Sequence, residues 1–141
     1  MEEYIISIKQ IDWLDKDNPE AEILFELNGQ QFWAFCHPCS FKEGEMAKVY
    51  FNFIEEDTAE SAFWNENSDH KIGMLSSENN RCHYYCYGQL KSTHPVIINC
   101  GVINLSFGDW INDERMKGSY VYFVISRLDI TKIQDLDYLR K

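Results

Sequence analysis

What the chain lacks narrows its chemistry first. Cations are scarce: 13 Lys and Arg face 23 Asp and Glu, a formal charge of -10. That balance opposes the phosphate backbone of DNA or RNA and attracts basic partners. Proline occurs three times and glycine seven. No tract rich in Pro, Gly or Ser, no repeat and no low-complexity stretch divides the chain, so residues 1–141 are expected to form a single domain. No apolar run approaches the roughly 18 residues that a membrane helix needs. The opening "MEEYIISIKQ" carries acids where a secretory signal carries Lys or Arg. The expectation is a cytoplasmic protein that engages no membrane. Its five cysteines, an odd number, should then be reduced thiols and not a disulfide framework. A Gly-rich phosphate loop, a nucleophile elbow and an H-E-x-x-H pair are all missing. The chain therefore leans away from enzymes, with no catalytic residue and no cofactor expected.

What is present points to strands. Aromatics make up 15% of the chain, and they favour pleated sheets. Tyr4, Ile6 and Ile8 alternate with Ile5, Ser7 and Lys9, and turn chemistry follows at Asp15 to Pro19. "AEILFEL" and "QQFWAF" flank Asn28-Gly29, the dipeptide best able to take the positive φ angles of a type I′ hairpin turn. After "KEGE", Ala47, Val49, Phe51 and Phe53 share one face of a strand and Lys48, Tyr50 and Asn52 the other. Further strands are predicted over 81–90, 96–105 and 119–128, with a helical turn between the last two begun by Asp109 and ended by Gly118.

Two segments break the rhythm. At about 55–80 an insertion is expected, with Asp57 and Glu60 capping a short helix through "TAESAFW" and polar loop after it. At about 130–139, Ile130, Ile133, Leu136 and Leu139 recur at three-residue spacing behind Asp129, which predicts a short amphipathic C-terminal helix. The fold class is mainly β: a small antiparallel β-barrel, OB-like, or else a sandwich, with about six to eight strands and one or two short helices. Through "FCHPCSFKEGE", "CYGQL" and "YFVISRLDI", most of the chain resembles small bacterial β-barrel proteins. That resemblance implies a fold and brings no activity with it.

The motif most suggestive of chemistry is "QFWAFCHPCSF". Its Phe-Trp-Ala entry and C-x-x-C pair are similar to the redox loop of thioredoxins, which set the dithiol at a helix N-terminus to stabilise the thiolate. Here Gly44 and a period of two follow Cys39, which argues for turn and strand. A zinc reading would draw on Cys36, His37, Cys39 and His83, with "CHYYC" 43 residues on. It fails on geometry if Cys82 and Cys86 lie in one extended strand, roughly 13 Å apart. No metal is therefore expected, and buried Cys82, Cys86 and Cys100 are the ordinary alternative. His37 and His94 precede prolines, and His70 lies near Glu66 and Asp69 in the insertion.

Tryptophans beside acids carry the functional expectation. Trp64 with Glu66 and Asp69, and Trp110 with Asp109 and Asp113, would anchor into a basic protein while the carboxylates steer the encounter. The chain is thus read as a non-enzymatic protein-binding domain, in its narrowest form a bacterial immunity protein neutralising a basic toxin. Two other readings compete with it. One is an OB-like single-stranded nucleic-acid binder using Tyr50, Tyr84 and Tyr122 as stacking platforms. The other is a zinc or thiol redox protein working through Cys36 and Cys39.

Overall fold

In the computed structural model, Asn28 and Gly29 take φ angles of 50° and 82° and join strand β2 (Glu20–Leu27) to β3 (Gln30–Cys36) as the dipeptide predicts. The structure describes residues 2–55, 65–108 and 111–136, with the main chain alone at 65 and 66. The strands are β1 (Tyr4–Asp15), β2, β3, β4 (Met46–Glu55), β5 (Asn65–Glu66), β6 (Gly73–Ser76), β7 (Tyr84–Thr93), β8 (Val96–Asn99), β9 (Asn104–Ser106) and β10 (Tyr120–Asp135). A 3₁₀ turn occupies Glu114–Met116. Contacts divide the chain into two compact units, 1–52 with 127–141 and 53–126.

The first unit is a closed five-stranded barrel. Its circuit runs β3-β2-β1-β4-β10 and returns to β3. The expected OB-like barrel is therefore the observed one, with the second unit inserted between its fourth and fifth strands. Period-two patterning builds it: Ala21, Ile23, Phe25 and Leu27 of β2 and Phe32, Ala34 and Cys36 of β3 point inward, joined by Ile6, Ile8, Ala47, Val49, Leu128 and Ile130. Phe25 stacks on both Phe32 and Phe51, with ring centroids 5.7 and 5.3 Å apart.

Closure rests on a parallel contact, Asp129 of β10 beside Phe35 of β3. Arg127 holds Asp129 through two hydrogen bonds of 2.6 and 3.0 Å and lies 4.0 Å over the Phe35 ring. One guanidinium thus ties both sides of the seam, using its fork for the carboxylate and its face for the ring. This corrects the helix expected at 130–139, because β10 continues as strand to Asp135. Ile130 and Leu136 are buried while Ile133 is exposed, and β4 supplies a backbone partner that an isolated helix lacks. Leu136 N–H, for example, donates to Met46 O at 3.0 Å. Residues 137–139 lie outside the described residues.

The second unit is a sheet in the order β10-β7-β8-β9, with β5 added to β10 and β6 to β7. Part of the segment expected as helix and loop is therefore paired strand at 65–66 and 73–76, while Asp57 and Glu60 lie outside the described residues. The strand expected over 96–105 is two, because the chain reverses at Gly101, φ 103°, and Asn104 pairs back onto Asn99. A helical turn starts at Asp113, whose side chain accepts from Arg115 N–H, while Asp109 lies outside the described residues.

Gly88 sits where strands meet most closely. A Cβ there would stand 2.5 Å from Asn99 O and from Ile98 Cγ2, so the residue must be glycine. Cys82, Tyr84, Cys86, Leu90, Ile98, Ile103, Leu105, Val121, Phe123 and Ile125 form this unit's core. Among the described residues no helix is long and apolar enough to cross a membrane.

Candidate functional site

The outward face of the barrel's first three strands gathers carboxylates. Alternation places Glu20, Glu22, Leu24 and Glu26 of β2 on the outer side, half-buried. Register sets Glu22 beside Phe35, Leu24 beside Trp33 and Glu26 beside Gln31. Across the other edge, Asp12 lies opposite Glu22 and Asp15 opposite Glu20. Like charges directly opposite one another in an antiparallel pair destabilise it. Asp15 has a local use, accepting hydrogen bonds from the N–H groups of Asp17 and Asn18 at 3.0 and 3.3 Å. Asp12 accepts from the side-chain amide of Gln10 at 2.7 Å. Lys9 falls within the irregularity between Ile8 and Gln10. The result is an acidic field around a Leu24–Trp33 apolar centre. The readings from sequence did not reach it, although the β2 sequence EAEILFEL already places Glu20, Glu22 and Glu26 on one face.

A second concave feature lies in the inserted unit. A cleft of about 210 Å³ is lined by Asn67, Ser68, Asp69, Lys71, Tyr87 and Tyr122. Asn67 builds it: the buried amide donates to Lys71 O at 2.8 Å and accepts from Lys71 N–H at 3.0 Å, closing the 67–71 loop. His70 then takes φ 53° and stacks on Tyr120 at 4.1 Å between centroids. Lys71 lies 5.3 Å over Tyr87. Asp69 is exposed at the rim, so one of the expected partner-binding residues does meet an aromatic floor.

The remaining expected residues are scattered in their fates. Trp64, Asp109 and Trp110 lie outside the described residues. Glu66 is placed by its main chain alone, opposite Val121 in β10. Asp113 is exposed, but its carboxylate is held by Arg115 through contacts of 2.9 and 3.0 Å, and that guanidinium pulls its pKa down. Of the three tyrosines read as stacking platforms, Tyr84 is corrected: it is 1% exposed and part of the core, because β7 turns that side inward. The zinc geometry also needs correction, since Cys82 lies in the turn before β7 and only Cys86 is in the strand. His37 is exposed, and the His83 ring packs edge-on against Tyr85. Among the described residues no three potential ligands converge on one point.

At the end of β3, Cys36 Sγ donates to Pro38 O at 3.6 Å, and the thiols of Cys36 and Cys39 are shifted in opposite directions. Cys36 is pushed well above the ordinary thiol range, first by its side-chain interaction with Cys39 and then by burial. Cys39 is lowered to about 7, chiefly by the same interaction, with help from the Phe41 backbone and the Lys132 charge. Lys132 reaches Glu45 Oε1 at 2.9 Å and donates to Ser40 O at 3.1 Å. Cys39 N–H is anchored on Pro19 O at 2.8 Å. Both cysteines are buried, as the strand-end reading expects.

Comparison with protein-family models, with curated proteins and with solved structures finds no match.

Proposed function

We propose that this chain is a protein-binding domain whose acidic barrel face docks a basic partner, with Leu24 and Trp33 as the apolar centre and Glu20, Glu22, Glu26 and Asp12 as the charged surround. The observation that carries the reading is the register that sets Asp12 opposite Glu22 beside that centre. Two carboxylates facing each other repel across the strand pair, whereas a partner's Lys or Arg would turn that repulsion into attraction. An aromatic flanked by steering charge is the usual composition of an interface centre. The narrowest form of this reading is an immunity protein that covers the active-site face of a basic toxin such as a nuclease. The face argues against the nucleic-acid alternative, because strands two and three of an OB barrel are its usual strand-binding surface and here strand two presents Glu20, Glu22 and Glu26.

The test pairs capture with charge reversal. The native chain, immobilised and exposed to a lysate of the cells that encode it, should retain a basic protein that elutes as salt rises. The Glu22→Lys/Glu26→Lys chain should lose that protein while remaining folded by circular dichroism. If both chains retain the same proteins, or the native chain retains none that is basic, the acidic face is not a docking surface.

A further inference from the structure

The cleft of the inserted unit is made by a crossing of the chain over its own sheet. Asn65 of β5, Tyr122 of β10, Tyr87 of β7 and Gly73 of β6 stand in one row across the strands. The chain between β5 and β6 therefore spans three strand spacings, about 14 Å. It crosses on the side to which the tyrosine rings point, since His70 stacks on Tyr120 and Lys71 stands over Tyr87. Asn67, 5% exposed, holds the crossing in place through Lys71 N–H, Lys71 O and Val121 O. A space of about 210 Å³ is left between this loop and the Tyr87–Tyr122 pair, whose ring centroids are 4.9 Å apart.

The loop lines that space with polar ends that the protein itself does not use. Asp113 closes on Arg115 at 2.9 Å and Arg127 on Asp129 at 2.6 Å, each pair two residues apart. Asp69 and Lys71 have the same spacing and opposite charges, yet among the described residues they form no ion pair. His70 stands between them at φ 53° and turns them apart. We propose that this cleft is a saccharide site, taking one neutral pyranose ring of a glycan flat on Tyr87 and Tyr122.

The ligand class follows from what the cleft offers. A pyranose presents C–H groups on its face and hydroxyls around its rim. Aromatic faces carry the negative part of their quadrupole and attract polarised C–H groups. Each rim hydroxyl both donates and accepts, so one ligand answers the Asp69 carboxylate, the Lys71 ammonium and the Ser68 hydroxyl together. A cation would be repelled by Lys71 and an anion by Asp69, and an apolar ligand would strip water from both without replacing it. The volume lies below the roughly 300–1,000 Å³ of sites for drug-sized molecules, which suits a single ring whose neighbours stay in solvent. Tyr85, 39% exposed and two positions back along β7, extends the platform to a second ring about 7 Å away.

The test titrates the full isotope-labelled chain with cellobiose, maltose, chitobiose and mannobiose in turn and follows the backbone amide spectrum. At least one disaccharide should shift the signals of Ser68, Asp69, Lys71, Tyr87 and Tyr122 and saturate with a Kd on the order of 1 mM. Raising the salt tenfold should leave that affinity unchanged, as a neutral ligand requires. Tyr87→Ala should weaken binding by at least about tenfold, whereas Tyr87→Phe, which keeps the ring, should weaken it by less than about threefold. Asp69→Ala, at an exposed position where folding is not at stake, should weaken it by about tenfold. If none of the disaccharides moves these signals, the cleft is not a saccharide site. Shifts that fade as salt rises, or tighter binding of a zwitterion such as serine at the same residues, would equally overturn the proposal.

Discussion

Each unit of the molecule holds a pair of buried cysteines, and their thiols are shifted differently in the two units. In the barrel, Cys36 and Cys39 lie at the end of a strand beside the Lys132–Glu45 ion pair, and one sulfur is lowered to about 7. In the inserted unit, Cys86 lies fully inside the sheet and Cys100 comes within 3.0 Å of where a Gly88 Cβ would stand. Burial does not separate the pairs, since all four residues are buried. The difference is the charged neighbour, which a strand end can place and a sheet interior cannot. A C-x-x-C motif is therefore a statement about proximity, and the electrostatics beside it decide reactivity.

The comparison breaks first at Lys132. Lys132→Met removes the partner of Glu45, a carboxylate that is almost fully buried, and leaves a charge without compensation. The expected loss is about 3 kcal/mol or more at neutral pH, read as a lower midpoint in urea unfolding, together with a rise of the Cys39 pKa toward the ordinary thiol range. In the other unit the vulnerable point is steric. Gly88→Ala drives a methyl into Asn99 O at 2.5 Å, a backbone atom that cannot turn aside. A loss of about 1–3 kcal/mol follows from such overpacking, with the Cys86 thiol still unreactive. A Gly88→Ala chain as stable as the native one would mean that β7 and β8 stand further apart than described.

The pH dependence sharpens the contrast. Cys39 has a folded pKa of about 7, below its unfolded value, so between those two values the unfolded chain binds more protons and stability rises with pH. Above the ordinary thiol range the sign reverses, because Cys36 and Cys86 are raised and keep protons that the unfolded chain has shed. The barrel pair should thus contribute a rise from about pH 7 and a fall at alkaline pH, and the inserted pair only the fall. Urea midpoints measured from pH 6 to 10 should lose the rise in Cys39→Ser and keep it in Cys86→Ala.

Most of the barrel was legible because local signals agreed with the tertiary outcome. Asn28-Gly29 fixed the hairpin, and period two fixed the faces of β2, β3 and β4. The failure at the C-terminus has one cause, which is pairing over long sequence distance. Ile130, Ile133 and Leu136 read as a helix face, yet β10 finds partners in β4 and β3, more than 70 residues away. The acidic face stayed hidden for a different reason, since Asp12 and Glu22, ten residues apart, are set opposite one another by the irregular β1–β2 register. Tryptophan beside acid in sequence was a poor guide: it drew attention to Asp113, whose charge Arg115 already holds. The raised pKa of Cys86 had no sequence signal at all, because Cys100 reaches it by way of a hairpin.

The smallest effect asks the most of the docking surface. Glu22→Lys replaces a like-charge pair across β1 and β2 with an opposite-charge one, opposite Asp12. A gain of roughly 0.5 kcal/mol is expected from cross-strand pairing, visible as a slightly higher midpoint at low salt and weaker at high salt. The same substitution should abolish partner capture. A chain that becomes more stable as it loses binding is the signature of a surface kept for a partner and not for folding. If Glu22→Lys leaves binding intact, or lowers stability, the carboxylates on this face serve the barrel itself and the proposed docking face is wrong.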